Sequence, residues 1–573
     1  MINLLLTVLD AIGLWAENRR SLVGREDVGV SLGCFLFPVP TLISASAMEY
    51  LASPLLQAGL AVPGLILAGL IYRIIYTQFF HPLSSFPGPW YASSFSITMS
   101  LVSLTKREPE YLMYLISKYG CRTFFLVQNR TLTAPDDKPI RISPTMLFFP
   151  KSSALKDIYR SPACNRKTNL YGSGVLGPPH LFSTLDGDEH RILRKALSNA
   201  PWTIGQLKRS WEARFDEHIN LFIGKMREHA RLENAVCLSD KVAEFAADIM
   251  SMVSFTTPFG CVERQEDVRG ILRNWRLGLS FFGFAVRWRW FRDVVLQLPV
   301  VGLWFLPKVE NGTGMGWLMC EADRQVSVRE EQNAAAEKSK SEEGRKDFMQ
   351  HCLEARFPDG SPLTAGQKRA HVLLLIQAGA DTTATAMGCT LRFLVTNPNA
   401  LNRARSEIEA ADKANLLSAP IQFEETRQHL PYFVGCIKEG LRLQPPGTNL
   451  YARVAPKERK TIDGHFIPGG TEITSYAYCV QRDTTLYGDD AEQFKPERWL
   501  ESEKRSNELD AAQFTFGMGP RVCLGKDVAL MEMYKLLPEI VRQFDIEMIE
   551  PGKYVVDGGV AYNVGFVGRL ASK

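Results

Sequence analysis

The sequence predicts a mostly helical protein with a small β region, tied to a membrane by an N-terminal anchor. Apolar residues recur at helical spacing over long stretches of the chain, among them 203–260 and Thr364–Asn397. Short segments bounded by glycine and proline predict a few strands. The run Leu51–Tyr72 carries no charge and is long enough to span a bilayer.

The composition limits the function classes. The 573 residues are 46% hydrophobic and 22% charged, which is typical of a globular protein. The formal net charge of +4 is too small to favour a nucleic-acid partner, so we expect none. The eleven cysteines include no C-x-x-C pair, which disfavours a disulfide framework and a zinc cluster. We therefore expect a reducing compartment.

The predicted transmembrane anchor occupies residues 51–73. Arg73 closes the uncharged run, and the aromatic residues Tyr76 and Phe79 that follow suit a membrane interface. Membrane lipid is therefore an expected partner of this end of the chain.

Residues 1–50 form an extension before the anchor. They contain a second uncharged run, Val28–Met48, which two prolines interrupt, and whether this run also spans the membrane stays open. Residues 74–90, which follow the anchor, are rich in proline and predict a stiff hinge before the globular domain.

The predicted strands are short. Phe124–Val127 and Ile140–Ile142 are enriched in residues that favour strands. Ile462–Thr474, which contains Pro468-Gly469-Gly470, predicts a β-hairpin.

One cysteine, Cys523, lies in a loop that holds three glycines and a proline. An apolar run at helical spacing, Leu524–Val541, follows it directly. Loop amides and the positive end of the following helix both favour a thiolate. A single thiolate suits the axial position of a haem iron, whereas zinc requires more ligands. A buried apolar cysteine in a glycine turn is the alternative.

This loop satisfies the pattern F-G-x-G-x-R-x-C-x-G at every fixed position. The residues at those positions are Phe516, Gly517, Gly519, Arg521, Cys523 and Gly525. The loop thereby resembles the haem-binding loop of the cytochrome P450 monooxygenases. The resemblance implies the mostly helical cytochrome P450 fold, with one haem-binding domain at residues 91–573 and Cys523 as the axial ligand.

The centre of the predicted helix Thr364–Asn397 reads A-G-A-D-T-T, from Ala378 to Thr383. Its small residues leave room for a flat ligand, and Asp381 and Thr382 place a carboxylate beside a hydroxyl. A hydroxyl bonded to the carbonyl four residues earlier can open a helix. The six residues resemble the family's [A/G]-G-x-[D/E]-T-[T/S] motif, which implies that Asp381 and Thr382 deliver protons for dioxygen cleavage. A kink without chemistry is the alternative.

Glu439 and Arg442 lie three residues apart on one face of the predicted helix Pro431–Leu443. With Arg498 they resemble the family's E-x-x-R motif and the arginine that completes its ion-pair cluster. The resemblance implies an architectural role, because breaking a buried pair typically costs about 3–5 kcal/mol. E-x-x-R alone would equally suit a surface pair.

His190 and Arg194 lie four residues apart on a predicted helix that opens with acidic residues. In the family, a tryptophan or histidine four residues before an arginine contacts the haem propionates at this point. The resemblance gives Arg453 and Arg521 the same role, and Phe516 completes the expected cofactor-binding residues. A solvated basic face, which could also dock an acidic redox partner, is the alternative for His190 and Arg194.

Aromatic residues alternate with arginines from Trp275 to Phe291. Such a mixture can bind single-stranded nucleic acid or lie in a membrane interface. The preceding anchor favours the membrane.

The resemblance implies a haem-thiolate monooxygenase that inserts one oxygen atom of dioxygen into an apolar small molecule. The implied cofactor is haem b. Few residues follow Cys523, so we expect electrons from NADPH to arrive through NADPH–cytochrome P450 reductase, with cytochrome b5 as a further candidate donor. We expect the endoplasmic reticulum membrane, with the haem domain facing the cytosol.

Details near Cys523, together with Pro496–Leu500, resemble the pisatin-demethylase-like members of filamentous fungi, which suggests secondary metabolism. Two other functions stay open. One is a haem-thiolate isomerase or dehydratase that needs no external electrons. The other is a non-catalytic membrane haem protein that acts as a sensor or carrier.

Overall fold

The structure, a computed structural model, describes residues 54–120, 138–198, 200–339, 347–458 and 460–573. The extension 1–50 with its run Val28–Met48, the start of the predicted anchor and the predicted strand Phe124–Val127 lie outside the described residues. The described part of the chain is mostly helical with small sheets, and this confirms the predicted fold class.

The helices follow one another along the whole described chain. The first are α1 (Pro54–Ile75), α2 (Trp90–Ser94), α3 (Thr98–Leu104), α4 (Glu108–Leu115), α5 (Gly187–Leu197), α6 (Ile204–Ser210), α7 (Glu212–Arg231), α8 (Leu238–Phe255), α9 (Cys261–Arg264), α10 (Ile271–Arg287) and α11 (Pro299–Phe305). The later ones are α12 (Gly314–Ser339), α13 (Phe348–Glu354), α14 (Ala365–Gly379), α15 (Asp381–Thr396), α16 (Pro398–Lys413), α17 (Phe423–His429), α18 (Pro431–Leu443), α19 (Ala477–Val480), α20 (Thr484–Tyr487), α21 (Glu503–Ala512) and α22 (Lys526–Gln543).

The strands form three small sheets among the described residues. The strands are β1 (Ile140–Ser143), β2 (Met146–Phe148), β3 (Ala235–Cys237), β4 (Arg453–Val454), β5 (Lys460–Ile462), β6 (His465–Ile467), β7 (Glu472–Thr474), β8 (Phe544–Asp557) and β9 (Val560–Ser572). Their orders in the sheets are β1-β2-β7-β4, β3-β9-β8 and β5-β6.

The predicted hairpin Ile462–Thr474 is only partly right. Its first strand, β5, does turn back, but the turn lies at Asp463 and Gly464, and the partner is β6. Strand β7, beyond Pro468, instead pairs with β2 and β4. Tertiary pairing with residues more than three hundred positions earlier therefore outweighed the local turn signal.

Helices α14 and α15 run through the domain interior almost as one helix. Thr364 caps the start of α14 by accepting the Gln367 N–H, and the Gln367 side chain bonds back to the cap. The helical hydrogen bonding is interrupted at Ala380, within the small-residue motif. The apolar faces of α7, α8, α15, α18 and α22 form the largest part of the core around this pair.

Helix α1 covers most of the predicted anchor. The segment Ala61–Phe80 is long and apolar enough to cross a membrane, and little of it is buried. Arg73 Nε, near its end, donates to Ser94 O at 2.7 Å. The buried Arg141 likewise donates to Thr77 O at 2.7 Å, so the end of the helix is bonded to the domain.

The predicted hinge also packs on the domain. The Arg141 N–H donates to Pro87 O at 2.7 Å. A Cβ on Gly88 would lie 2.3 Å from Arg141 O, so only glycine allows this approach. The proline-rich segment therefore fixes the direction in which the chain leaves α1.

The hairpin of β8 and β9 reaches from the surface into the interior. Its turn, Gly558 and Gly559, has positive φ values of 59° and 84°. A Cβ on Gly558 would lie 2.5 Å from Leu279 O, and one on Gly559 would meet the Asn449 side chain at the same distance. These two glycines let the turn pack tightly at the edge of the central cavity.

Candidate active site

The loop that carries Cys523 is folded back on itself just before α22. The Cys523 N–H donates to Phe516 O at 2.8 Å, and the Gly517 N–H donates to Phe514 O at 2.9 Å. Gly519 has a φ of 67°, and a Cβ there would lie 2.2 Å from Tyr159 O. Only glycine can occupy that position without displacing the backbone.

The sulfur of Cys523 faces an internal cavity of about 360 Å³. Its side chain is accessible because it borders this cavity, although protein surrounds it closely. Burial raises the pKa of the Cys523 thiol, and the Gly525 N–H and the Arg194 guanidinium oppose that rise. A metal ion that bound the sulfur would displace its proton.

Part of the cavity wall comes from the break between α14 and α15. Ala378, Gly379, Thr382 and Thr383 line the cavity there. The apolar part of the lining is formed by Leu176, Leu181, Phe182, Met250, Trp275, Leu279, Phe282 and Val560. The cavity therefore suits an apolar group that contacts both the cysteine and this helix.

The hydroxyl of Thr382 donates to Ala378 O at 2.9 Å, the bond to the carbonyl four residues earlier. Gly379 has a second role besides the predicted one, because a Cβ there would lie 2.3 Å from Cγ of Met250. The absence of a side chain at Gly379 thus makes room for Met250 and also leaves space in the cavity.

Asp381 does not line the cavity with Thr382. Its buried carboxylate accepts two hydrogen bonds from Arg276, at 3.0 Å from Nε and 2.7 Å from Nη2. Arg276 lies on α10 and also borders a charged surface cleft. The predicted proton-delivery pair is therefore adjacent in sequence, but its two side chains face different surroundings.

All four predicted propionate-binding residues come together at the cavity. His190 and Arg194 reach it from α5, whose start is capped by Asp186, while Arg453 and Arg521 come from β4 and the cysteine loop. Phe516, the other predicted cofactor-binding residue, lines the cavity too.

The three arginines of this group differ in the protein groups that accept their hydrogen bonds. Arg194 Nη1 donates to Val522 O at 2.7 Å, beside the cysteine. Arg453 Nη1 donates to Tyr451 O at 3.1 Å and to Ala452 O at 3.3 Å. Arg521 instead spreads its N–H groups over several acceptors. Those acceptors belong to Asn165, Thr184, Leu185 and Asp186.

His190 is buried and its Nδ1 has no hydrogen-bond partner among the described residues. Burial lowers its pKa to about 3, and the neighbouring cations Arg521 and Lys167 act in the same direction. The imidazole is therefore neutral near pH 7 and can donate one hydrogen bond.

The structure also brings the three residues of the predicted ion-pair cluster together. Arg442 bonds both oxygens of Glu439 at 2.8 Å, and Arg498 Nε bonds Oε1 of the same carboxylate at 2.9 Å. The Trp499 indole N–H adds a bond at 3.0 Å. All four side chains are buried, so this is not a surface pair. The carboxylate joins α18 to the segment that precedes the cysteine loop.

Sequence reasoning missed two contributors to the site. Lys167 lines the cavity. It lies before the predicted helix that carries His190 and Arg194, and no sequence pattern indicates its role. Arg276 was assigned to a membrane-facing stretch because it lies among aromatic residues. Its partner Asp381 is 105 residues away, so sequence spacing gave no signal.

The comparison with known families decides the identity. Residues 165–555 match the family model described as Cytochrome P450. The chain belongs to the cytochrome P450 family. Its members are haem enzymes, so this protein is an oxidoreductase of the monooxygenase class with haem b as its cofactor. In the general arrangement of the family, electrons from NADPH arrive through a reductase.

Named relatives are similar over most of their length. Quiannulatic acid synthase of Emericella variicolor is 28% identical over 491 residues, which cover 84% of this chain and 91% of that protein. Cytochrome P450 monooxygenase cicH of Emericella nidulans is 29% identical over 492 residues, covering 82% and 90%. Pisatin demethylase of Fusarium vanettenii is 28% identical over 499 residues, covering 85% and 90%.

The residues at this P450 site are chemically suited to haem. The cavity offers the accessible sulfur of Cys523, apolar walls and a cluster of cations for the two propionates, while the second lining cysteine, Cys352, is buried. Among the described residues no group of three or more histidine, cysteine or acidic side chains could hold a metal ion by itself. A single accessible sulfur beside an apolar cavity therefore matches a metal that brings its own porphyrin ligands.

Proposed function

We propose that this P450 inserts one oxygen atom of dioxygen into an apolar small molecule, in fungal secondary metabolism, with electrons that a reductase takes from NADPH. The observation that carries the proposal is that Cys523 and Thr382 line one cavity. Its walls, which include Met250, Trp275 and Phe282, are predominantly apolar. Relatives named pisatin demethylase and quiannulatic acid synthase support the metabolic setting.

Cys523 would hold the haem iron, and haem with a thiolate ligand supplies the oxygen-activating chemistry. The protein's contribution is to keep the sulfur in place. The Gly525 N–H and Arg194 stabilise negative charge there, and the loop bond from the Cys523 N–H to Phe516 O fixes its position. Arg194, Arg453 and Arg521 would bind the propionates, because a buried carboxylate requires compensating cations. The neutral His190 would add one hydrogen bond to them.

Thr382 would hold and pass a proton at its Oγ1, which borders the cavity. Its hydroxyl donates to Ala378 O in the structure and would leave that carbonyl to do so. Asp381 would resupply the proton after loosening its pair with Arg276. The apolar part of the wall limits the entry of water, so Asp381 and Thr382 form the proposed proton path.

The proposed role of the ion-pair cluster is to stabilise the fold. Its members are Glu439, Arg442 and Arg498. They connect α18 with the segment before the cysteine loop, and none of them lines the cavity. They are proposed to hold the cysteine loop in position relative to the rest of the domain.

The proposed location is the endoplasmic reticulum membrane, with residues 51–73 as anchor and residues 91–573 facing the cytosol. Helix α1 supports this, and so does a second apolar surface. The exposed side chains of that surface are Val294, Leu298, Val300, Leu303, Trp304 and Phe305. We propose that this surface, here called the α11 patch, enters the membrane interface.

The α11 patch adds to the surface expected from sequence, of which part is buried and part, including Trp290, is exposed. Trp275 and Phe282, in the aromatic–arginine stretch, are buried in the core. Arg287 is also buried and pairs with Glu108 at 2.6 Å. The amphipathic pattern of α10 therefore arises from internal packing. The strongly exposed apolar residues of the α11 patch come later in the chain, after α10 has ended.

The reductase is proposed to dock on the basic surface around α5. Arg191 and Lys195 are exposed on this helix, whose inner face carries His190 and Arg194. Lys526, just beyond Cys523, is exposed as well. An acidic partner on this surface would therefore approach the cysteine side of the cavity.

The proposal is tested by comparing metabolites of a producing strain with and without this gene. The compound that accumulates without the gene is then incubated with microsomes that contain the full chain, a reductase, NADPH and isotopically heavy dioxygen. We expect a product that carries one heavy oxygen atom. Conversion without NADPH would point to an isomerase or dehydratase, and absence of any conversion would contradict the enzyme proposal.

A further inference from the structure

Asn449 is a buried amide that lines the central cavity beside the turn of the β8–β9 hairpin. The residue is 4% exposed. The backbone of Gly559 packs against it so closely that a Cβ on Gly559 would lie 2.5 Å from Asn449 Cγ. This packing limits the rotation of the Asn449 side chain, so the direction of its amide is set by the fold.

Arg287 determines which end of the Asn449 amide faces the protein. Arg287 Nη2 donates to Asn449 Oδ1 at 3.4 Å. A guanidinium carries donors only, so the atom that faces it is the amide oxygen and not the nitrogen. Arg287 is held in turn by Glu108, because its Nε lies 2.6 Å from Oε1 and its Nη2 donates to Oε2 at 3.0 Å. The oxygen of Asn449 is thus turned toward a fixed cation that is already paired.

The nitrogen of the Asn449 amide is left for the cavity. No described residue accepts a hydrogen bond from Nδ2, and this atom keeps accessible surface although the residue is buried. Because Asn449 lines the cavity, we take that surface to face the cavity. The cation beside Oδ1 polarises the amide and makes its N–H groups stronger donors.

A donor in this position discriminates between ligands. Much of the remaining cavity wall is apolar and includes Met250, Phe282 and Val560. An apolar ligand that fills the cavity removes water from Nδ2, and a buried donor left unpaired costs about 1–3 kcal/mol. A ligand that places an oxygen at Nδ2 avoids this cost, so one oriented amide can select among ligands of similar shape.

We infer that Asn449 is a specificity-determining residue that selects apolar substrates carrying a neutral oxygen acceptor, such as a ketone, an ester or an alcohol. The oxygen accepts a hydrogen bond from Nδ2, and the apolar skeleton contacts the rest of the wall. A neutral oxygen suits this position better than a carboxylate, because the donor is an uncharged amide and the charge of Arg287 is already paired with Glu108. The inference rests on the proposed function and names a substrate class for it.

The experiment measures ligand binding to the full-length ferric holoenzyme, without reductase or NADPH. The probes are three pairs that differ in a carbonyl group: 2-tetralone and tetralin, 2-adamantanone and adamantane, dodecan-2-one and dodecane. The change of the Soret spectrum on binding gives each dissociation constant. The carbon-monoxide spectrum of each reduced protein is recorded first, to show that the haem-thiolate centre is present. Because no turnover is involved, failure of the proposed monooxygenase reaction is recognised separately.

The wild type should bind at least one ketone roughly three- to tenfold more tightly than the matching hydrocarbon, the range expected for one hydrogen bond. Asn449→Leu keeps the approximate size of the side chain but removes both N–H donors. It should lose the preference for the ketone, while its affinity for the hydrocarbon stays the same or rises. Asn507→Leu, at an exposed asparagine on α21, is the matched control and should keep the preference.

The inference is wrong if the wild type prefers none of the ketones, or if Asn449→Leu retains the preference. Equal loss of affinity for both members of a pair would also contradict it, because such a loss reflects packing and not a hydrogen bond. Should Asn449→Leu fail to accumulate, the smaller Asn449→Val is measured with the same probes and the same criteria.

Discussion

Arg276 and Asp381 form a two-bonded ion pair between α10 and the start of α15. The separations are 3.0 Å and 2.7 Å, and the Arg276 side chain is 25% exposed whereas that of Asp381 is 1% exposed. Arg276 also lies over the Tyr562 ring and lines a cleft of about 550 Å³ with Asp240 and Glu244. Asp381 therefore lies between this charged cleft and Thr382 at the cavity.

We predict that Asp381→Asn slows product formation more than it affects stability. The amide keeps the shape and can still accept a bond from Arg276, whose partly exposed side chain can also reach water. If Asp381 supplies protons, turnover should fall by about 10²–10⁴-fold, with a larger solvent isotope effect. Thermal unfolding is measured alongside. Wild-type turnover in Asp381→Asn would mean that the carboxylate serves only to hold Arg276.

Thr382→Ala should divert electrons from product to hydrogen peroxide. The change removes the hydroxyl at the cavity and leaves Cys523 and the apolar wall unchanged, so the carbon-monoxide spectrum and substrate affinity should persist. NADPH consumed, peroxide released and product formed are measured together. Thr382→Ser should retain much of the coupling.

Thr385→Ala provides the matched control for losing a helix hydroxyl. Thr385 lies one turn further along α15, bonds the Asp381 carbonyl at 2.7 Å and does not line the cavity. Its coupling should remain close to that of the wild type. Equal uncoupling in the two alanine variants would show that helix geometry, and not proton transfer, sets the coupling.

Glu439→Gln should destabilise the folded protein by about 3–5 kcal/mol, because it leaves Arg442 and Arg498 buried beside a neutral group. Haem loss and unfolding are followed together in a thermal melt. Glu424→Gln is the control, since Glu424 pairs with Lys208 and Arg427 near the surface. That variant should lose about 1 kcal/mol or less. If both variants lost similar amounts of folding stability, the Glu439 cluster would have no special architectural role.

The α11 patch should hold the protein at membranes when the anchor is removed. Protein lacking residues 1–73 is expected to remain partly in the membrane fraction, because Trp304 is 83% exposed and has apolar neighbours. Adding Leu303→Ser and Trp304→Ser to this truncation should release it. Leu232→Ser, at an exposed leucine on a different segment, should not. Release by truncation alone would contradict a membrane role of the patch.

Local features of the fold and site could be predicted from sequence. The cysteine loop is defined by glycines whose backbone angles and contacts are specific to each position, so its residue pattern is informative. The Glu439–Arg442 pair lies within one helix and follows from spacing. The start of α5 at Asp186 and the helix break at Ala380 were likewise visible in neighbouring residues.

Long-range partners could not be predicted in this way. The bridge between Lys167 and Arg453, and the pair of Arg276 and Asp381, depend on how distant segments meet. Strand β7 was assigned to a local hairpin because its pairing with β2 leaves no trace in the nearby sequence. The amphipathic pattern of α10 indicated that one face of the helix is covered. It could not show whether the protein core or the membrane covers that face.

The central claim is that Cys523 holds the haem iron, and the carbon-monoxide spectrum of the reduced protein tests it most directly. Cys523→Ala is compared with Cys320→Ala, at an exposed cysteine outside the cavity. Circular dichroism checks that both variants are folded. Wild type and Cys320→Ala should show the red-shifted Soret band of thiolate-bound haem, and Cys523→Ala should lack it. A Cys523→Ala protein that retained this band would contradict the account.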